Sequence, residues 1–149
     1  AIEPHEFLRN RALELGASAA VKPVPSKIRK FIRKQGNIEF IFDCAGNQKS
    51  ISMAIDNIQK GGTILLEGFT KGTIELPMFL INNKEIKIKG ALGHDEEDIK
   101  AAIQFFEEGH VNADCYITDE IQLDHLDSGF KRFLVPGERT FIKTVVKMA

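Results

Sequence analysis

Few residues of this chain combine reactive side chains in a pattern that could do chemistry. His94 stands beside Asp95 and Glu96, a group that could hold a metal or pass a proton. The same residues open a helical pattern, and acids at a helix start serve as partners of its dipole. Cys44 ends an apolar run with no histidine near it in sequence, so it reads as a core thiol rather than a nucleophile. With Cys115 it forms neither a CxxC pair nor a disulfide framework. His5, His110 and His125 lie in helix or loop contexts without paired ligands and read as surface residues. Lys27, Arg29, Lys30, Arg33 and Lys34 could attract an anion or nucleic acid. They lack interleaved aromatics, however, and read as a solvated helix face. No catalytic residue and no metal ligand set is expected within this chain. The chemistry to expect is that of holding a ligand.

The elements that would position a ligand are legible between Phe40 and Phe69. A buried strand is followed by a tight turn, an amphipathic helix, a Gly61-Gly62 stop and a second buried strand, Thr63 to Glu67. That is one unit of a parallel, doubly wound α/β sheet, which holds nucleotides at its strand ends. Ile38 to Cys44 is apolar on both faces, as strands covered by helices on both sides are. Asn47 or Ser50 starts the helix, and Ile51, Ala54, Ile55 and Ile58 form its buried stripe.

Around this unit, Pro4 opens a helix over about 5–15, with Phe7, Ala12 and Leu15 on its buried face and Gly16 as its stop. A short strand follows at 19–21, then a helix capped by Ser26 with Ile28, Phe31 and Ile32 on one face. Residues 70–77 form a loop. Ile86-Lys87-Ile88-Lys89 alternates as a strand with one wet face or one face at a subunit boundary. Asp95 caps a helix through about Glu108 whose core stripe is Ile99, Ala102, Ile103 and Phe106. A last helix begins at Asp124 and carries Leu126, Phe130 and Phe133. Pro136-Gly137 then turns the chain into a final strand, 140–148.

A length of 149 residues suffices for one domain with a core, and 43% apolar with 28% charged content is that of an ordinary globular protein. The net charge of −1 gives no electrostatic case for nucleic acid or a membrane surface. No apolar run approaches the ~20 residues that span a bilayer, and no signal-peptide pattern opens the chain. Cytoplasmic localisation is the expectation from the cysteine usage. No G-x-G-x-x-G occurs, and Ala1 is not an initiator methionine. The expectation is therefore a partial Rossmann-type sheet lacking its first strand, helix and phosphate loop.

In order along the chain, AIEPHEF, ALELGAS, FDCAGN, KGGTILLEGF, ELPM, KEIKIKGALG and PGERTFIKTVVKM resemble the C-terminal, cofactor-binding part of the zinc-dependent medium-chain alcohol or polyol dehydrogenases. The resemblance covers nearly the whole chain, and the order of the phrases carries it. It implies one truncated NAD-binding domain over 1–149, with the dehydrogenase's C-terminal helix and strand.

The resemblance also implies roles. Glu3, at the end of the family's second strand, would accept hydrogen bonds from both adenosine-ribose hydroxyls and repel a 2′-phosphate, favouring NAD over NADP. Ala45 and Gly46 are small enough for adenine or ribose to lie against the backbone. Glu67, Gly68 and Phe69 occupy the nicotinamide-side strand end, and backbone groups at Ala91 and Leu92 would bond the nicotinamide amide. Arg139 matches an arginine that reaches the pyrophosphate. Two positions depart from the family. Leu8, with Arg9 next to it, stands where Arg or Lys is common, and Ile117-Thr118-Asp119 stands for I-T-H.

The parent implied is an NAD-dependent oxidoreductase that takes hydride from a secondary alcohol or polyol with zinc assistance. Its zinc sites would lie in an N-terminal domain outside this chain, and the chain alone is expected to be inert. Residues 73–89 resemble the family's dimer-forming segment, so a homo-oligomer, at least a dimer, is expected. Two other readings stand beside this one: an inert oligomerisation or binding module, and a Rossmann-like nucleotide-binding protein of another class.

Overall fold

The computed structural model describes residues 1–135, 137 and 139–148. In chain order the elements are α1 (Glu6–Glu14), α2 (Pro25–Gln35), β1 (Ile38–Asp43), α3 (Gln48–Asn57), β2 (Ile58–Leu66), α4 (Met78–Lys84), β3 (Lys87–Gly90), α5 (Glu96–Glu107), β4 (Ile117–Gln122), α6 (Leu126–Leu134) and β5 (Lys143–Lys147). They fall into two compact units. One comprises Pro25–Gly93; the other joins Ala1–Val24 to His94–Ala149.

The contiguous unit is a parallel sheet of order β1-β2-β3 with α3 and α4 as its crossovers. Its core is a cluster of small and branched side chains: Ile51, Ala54 and Ile55 from α3, Ile58 and Ile64 from β2, and Ile81 with Ile86 at α4 and beyond. Three residues of the expected helix stripe are thus its buried face, while the fourth, Ile58, is buried as the first residue of β2. Asn47 starts α3 through a capping box: its side chain accepts from Lys49 and Ser50 N–H at 3.1 Å, while Ser50 Oγ accepts from Asn47 N–H. At the other end of α3, the Lys84 ammonium donates to the carbonyls of Ile55, Asp56 and Ile58 at 2.9, 2.9 and 3.2 Å. A cation from α4 thereby satisfies carbonyls that a helix end leaves open.

Several expectations need correction here. α3 ends at Asn57, and Gly61-Gly62 lies inside β2 rather than stopping the helix. The register runs Ile38↔Ile58 and then Phe40↔Thr63, so β2 bulges between them. The glycines serve that bulge: Gly61 takes φ +74°, and a Cβ on Gly62 would sit 3.0 Å from Glu39 O, with Ile58 closer still. α2 starts at Pro25, one residue ahead of the expected Ser26 cap. α4 is a helix where none was expected. Among the described residues β1 is buried on one face, where Ile41 and Asp43 pack inward, while Phe40 and Phe42 on the other remain 65% and 66% exposed. Cys44 is exposed rather than a core thiol.

In the discontinuous unit, the strand expected at 19–21 is reduced to one bridge, Ile2↔Val21. Of the expected α1 face, Leu15 is exposed, and the buried residue is Arg9. Its Nη1 donates to Glu3 O at 2.9 Å and Pro4 O at 2.5 Å. β4 and β5 form a parallel pair, β4 being a strand the sequence reading did not assign. α6, entered through a 3₁₀ turn at Leu123–His125, packs Gly129 against Ile121 of β4. Phe133 meets Phe141 edge to face at 4.8 Å. α5 begins as expected, with Asp95 and Asp98 in a capping box. Its stripe is nevertheless not buried: Ile99, Ile103 and Phe106 are about half exposed. Phe130 and Phe133 are likewise exposed. The final strand is shorter than expected, and Pro136 of the expected turn lies outside the described residues.

One electrostatic cluster ties this unit together. The Thr144 hydroxyl and then the Arg132 guanidinium bond the Asp119 carboxylate and hold its pKa below the usual carboxylate value. A depressed carboxylate stabilises the fold above its unfolded pKa, and that share is lost as pH falls through the folded pKa. Chemical-denaturation midpoints should therefore decline as pH drops through and below the ordinary carboxylate range, and Asp119→Asn should flatten that decline. In the contiguous unit, Lys84→Met should lower stability by about 1–3 kcal/mol, measured by urea unfolding, because three carbonyls lose a charged donor.

Candidate functional site

The three parallel strands of the contiguous unit end side by side, at Asp43, Leu66 and Gly90. Beyond them the chain turns through 44–46, 67–69 and 91–92, which puts seven of the nine expected cofactor residues at one edge of the sheet. Asp43 organises this edge. It is only 5% exposed. Its carboxylate accepts from Gly46 N–H at 3.1 Å, and its carbonyl accepts from Glu67 N–H at 3.0 Å and Gly68 N–H at 2.7 Å. The turn after β1 is thereby tied to the turn after β2. Ala91 N–H donates to Leu66 O at 3.0 Å and ties on the third.

The two glycines meet backbone to backbone. Gly46 has φ +57°, and a Cβ on it would lie 2.6 Å from Gly68 C and O. A Cβ on Gly68 would lie 2.7 Å from Gly46 Cα. The Thr70 hydroxyl donates to Gly46 O and continues the contact. Only glycine satisfies both positions, one for conformation and space, the other for space alone.

Beside this crossing lies a cavity of about 390 Å³, within the size range of small-molecule sites. Glu67, Gly68, Phe69, Ala91 and Leu92 line it, against walls that include Ile64, Ile88 and Leu76. Five of the expected residues therefore share one cavity. Ala45 and Gly46 do not line it; Gly46 contributes by packing on Gly68 from behind. The sequence reading missed Asp43. An acid ending a buried apolar strand, three residues before a glycine, was the available signal.

Glu3 and Arg139 belong to the discontinuous unit. Glu3 N–H donates to Val21 O, and Glu3 Oε1 accepts from His5 N–H at 2.8 Å. Arg139 N–H donates to His5 Nδ1 at 3.0 Å, and its guanidinium lies 5.8 Å from the Phe133 ring centroid and 5.9 Å from that of Phe141. His5, Arg132 and Arg139 share a second cavity of about 170 Å³. Arg132 is held there by its fork on Asp119, at 3.3 and 2.8 Å. His5, read from sequence as a surface residue, is thus the link between Glu3 and Arg139. The separation of 134 residues between His5 and Arg139 hides it from local pattern.

The alternatives for chemistry are placed as follows. His94 precedes the Asp95 cap at the start of α5. His110 pairs with Glu108 at 3.1 Å and sits edge-on to Phe105. Among the described residues no group of three or more His, Cys, Asp or Glu is placed to hold a metal. No helix among them is long and apolar enough to cross a membrane.

A parallel α/β sheet with small residues crossing at its strand ends is the frame of a nucleotide-binding domain. The family model described as zinc-binding dehydrogenase matches residues 1–108, and the chain belongs to that family, as its C-terminal portion. An alcohol dehydrogenase of Geobacillus stearothermophilus is 25% identical over 122 residues, covering 81% of this chain and 35% of its own. The solved 2R,3R-butanediol dehydrogenase of Bacillus subtilis superposes on all of this chain and 43% of its own, with TM-score 0.84 and 25% identity. A short chain alcohol dehydrogenase of Escherichia coli, solved with NADH, gives TM-score 0.86 over 99% of this chain and 43% of its own, at 18% identity. The chain thus spans about a third of the curated relative's length. Its fold is that of these Rossmann-type dehydrogenases, and it represents part of their length.

The glycine crossing gives a direct test. Gly68→Ala should destabilise the contiguous unit by about 1–3 kcal/mol through overpacking, whereas Ala91→Ser should leave urea midpoints nearly unchanged. Equal midpoints for Gly68→Ala and the parent chain would contradict the crossing as described.

Proposed function

We propose that this chain is the nicotinamide-cofactor-holding part of an NAD-dependent dehydrogenase acting on an alcohol or polyol. One observation carries the reading: Glu67, Gly68, Phe69, Ala91 and Leu92 line one cavity at the ends of parallel strands. When bound, the cofactor accepts hydride from the alcohol carbon. The chain's own residues supply position. Gly68 and Ala91 let a flat ring approach the backbone, with Leu92 beside it, Ile64 and Ile88 exclude water from one side, and Ala45 takes the adenosine half while Gly46 supports it by packing on Gly68. Glu3 accepts from the ribose hydroxyls, and Arg139 meets the pyrophosphate.

Residues 1–149 are read as one truncated NAD-binding domain with its C-terminal helix and strand. Zinc is assigned to a domain outside this chain, and no step is derived through it. The chain by itself is read as catalytically inert. It is read as at least dimeric, through residues 73–89. What supports this is that β3 pairs only with β2 among the described strands, which leaves its other edge open to a partner.

Calorimetric titration of the purified chain with NAD and NADP tests the reading. NAD should bind more tightly. Glu3→Gln should weaken NAD about tenfold or more, as loss of a charge-assisted hydrogen bond does, and should narrow the preference over NADP. No heat with either dinucleotide would remove the cofactor role from all nine residues.

A further inference from the structure

The near-neutral total charge of −1 hides two opposite charges. The contiguous unit, Pro25–Gly93, carries 11 Lys and Arg against 6 Asp and Glu. The discontinuous unit carries 9 against 15, which completes the chain's 20 and 21. Each excess is gathered on one helix. On α2, Lys27, Arg29, Lys30, Arg33 and Lys34 are all exposed and no acid interrupts them. None of the five has an ion-pair partner among the described residues. Lys27, Lys30 and Lys34 share one face of the helix by their spacing, whereas Ile28 is 1% exposed and anchors the other. α5 is the counterpart, with no buried residue. Glu96, Glu97 and Asp98 stand in its first turn, Glu107 and Glu108 follow at its end, and Lys100 is the one cation in its sequence. Glu97 and Glu108 lie about three turns apart and so share a face. Lys100 pairs with Glu96, and His110 with Glu108; Glu97 and Glu107 have no cationic partner among the described residues.

We propose that the basic face of α2 is a docking surface for the acidic face of α5 on a second copy of this chain. The helices have 11 and 12 residues and so nearly equal lengths, about 16 and 18 Å. Every copy brings both signs in similar amount, which is the charge complementarity that selects a second copy as the occupant. A nucleic acid fits less well, because the acidic unit arrives with the basic one and Phe31, the aromatic of α2, is half-buried rather than free to stack. A lipid surface needs a free apolar side, and Ile28 is already spent on the core of its own unit. The two docking faces differ, so each pairing leaves one basic and one acidic helix unmet and further copies add head to tail. Exposed ion pairs are weak singly and are screened by salt, so the assembly is reversible and needs several pairs at once. It is independent of the cofactor reading, and residues 73–89 contribute nothing to it.

Sedimentation of the purified chain at about 20 mM and about 300 mM salt, over a range of protein concentrations, tests the contact. The average mass should climb with concentration in low salt. In high salt it should return to a fixed value, that of the monomer or of a dimer held through residues 73–89. Two charge-reversed chains follow: Lys27→Glu with Lys30→Glu and Lys34→Glu, and Glu97→Lys with Glu107→Lys and Glu108→Lys. All six positions are exposed, and Asp95 and Asp98 are left to cap α5, so urea midpoints should stay near the parent's. Each reversed chain alone should lose the climb, since its two helices then carry one sign, and an equal mixture of the two should regain it. Lys49→Glu with Lys60→Glu and Lys71→Glu alters the net charge equally at exposed positions of the same unit and should keep the climb. A mass independent of concentration in low salt overturns the proposal, as does a climb that survives either reversal or a mixture that stays unassembled. Loss of the climb in the Lys49, Lys60 and Lys71 control would reduce the effect to net charge and overturn it too. If nuclease treatment of the parent chain abolishes the climb, a nucleic acid is the occupant and the contact between copies is wrong.

Discussion

The buried carboxylate of Asp43 is the constraint on which the functional edge of the sheet depends. Three parallel strands ending side by side do not by themselves make a binding surface, because the loops beyond them are free to diverge. Asp43 prevents this by accepting from both neighbours, through its side chain toward Gly46 and through its carbonyl toward Glu67 and Gly68. The backbones of the two turns then touch, and neither glycine can acquire a side chain without displacing the other. A buried acid is costly unless its hydrogen bonds are met. Here meeting them and shaping the site are the same act, which gives the cavity beside the crossing a rigid back wall.

What was legible in the sequence followed from chemistry local to a few residues. Asn47 and Ser50 form their cap, Asp95 and Asp98 form theirs, and the stripe Ile51, Ala54, Ile55 lies in the core as its spacing demanded. The phrases that suggested a dehydrogenase fold are matched by the family and by the superposed structures. The errors came where one local signal has two physical uses. Gly61-Gly62 looks like a helix stop and is a bulge, because the adjacent strand is short by the residues that β2 must loop out. Ile99, Ile103 and Phe106 have the period of a buried face, yet period reports amphipathicity and not what covers it. The short α4 carries no side-chain cap, so little in its sequence announced it.

The candidate site divides along the same line. The resemblance to the dehydrogenases pointed to Gly68 and Ala91, which line one cavity because the strands before them set their position. Asp43 was passed over although its carboxylate bond to Gly46 is local, because its carbonyl's bonds to Glu67 and Gly68, which tie the two turns together, span more than twenty positions. The connection from Glu3 through His5 to Arg139 was beyond sequence reading for a stronger reason, since no local rule joins residues 134 positions apart.

That last connection bears on how the protein is made. One unit is a continuous stretch and can complete its contacts as soon as Gly93 has emerged from the ribosome. The other needs residues 1–24 to wait for residues 94–149, and its bond from Arg139 to His5 closes a loop that includes the whole first-finished unit. Loop-closure entropy grows slowly with length, but contacts of such long separation form late. Synthesis therefore imposes an order. The strand-end edge with Gly46 and Gly68 can be in place while the segment with Glu3 is still unpaired, and during that interval Ile2, Val21 and Arg9 are the groups a chaperone would meet.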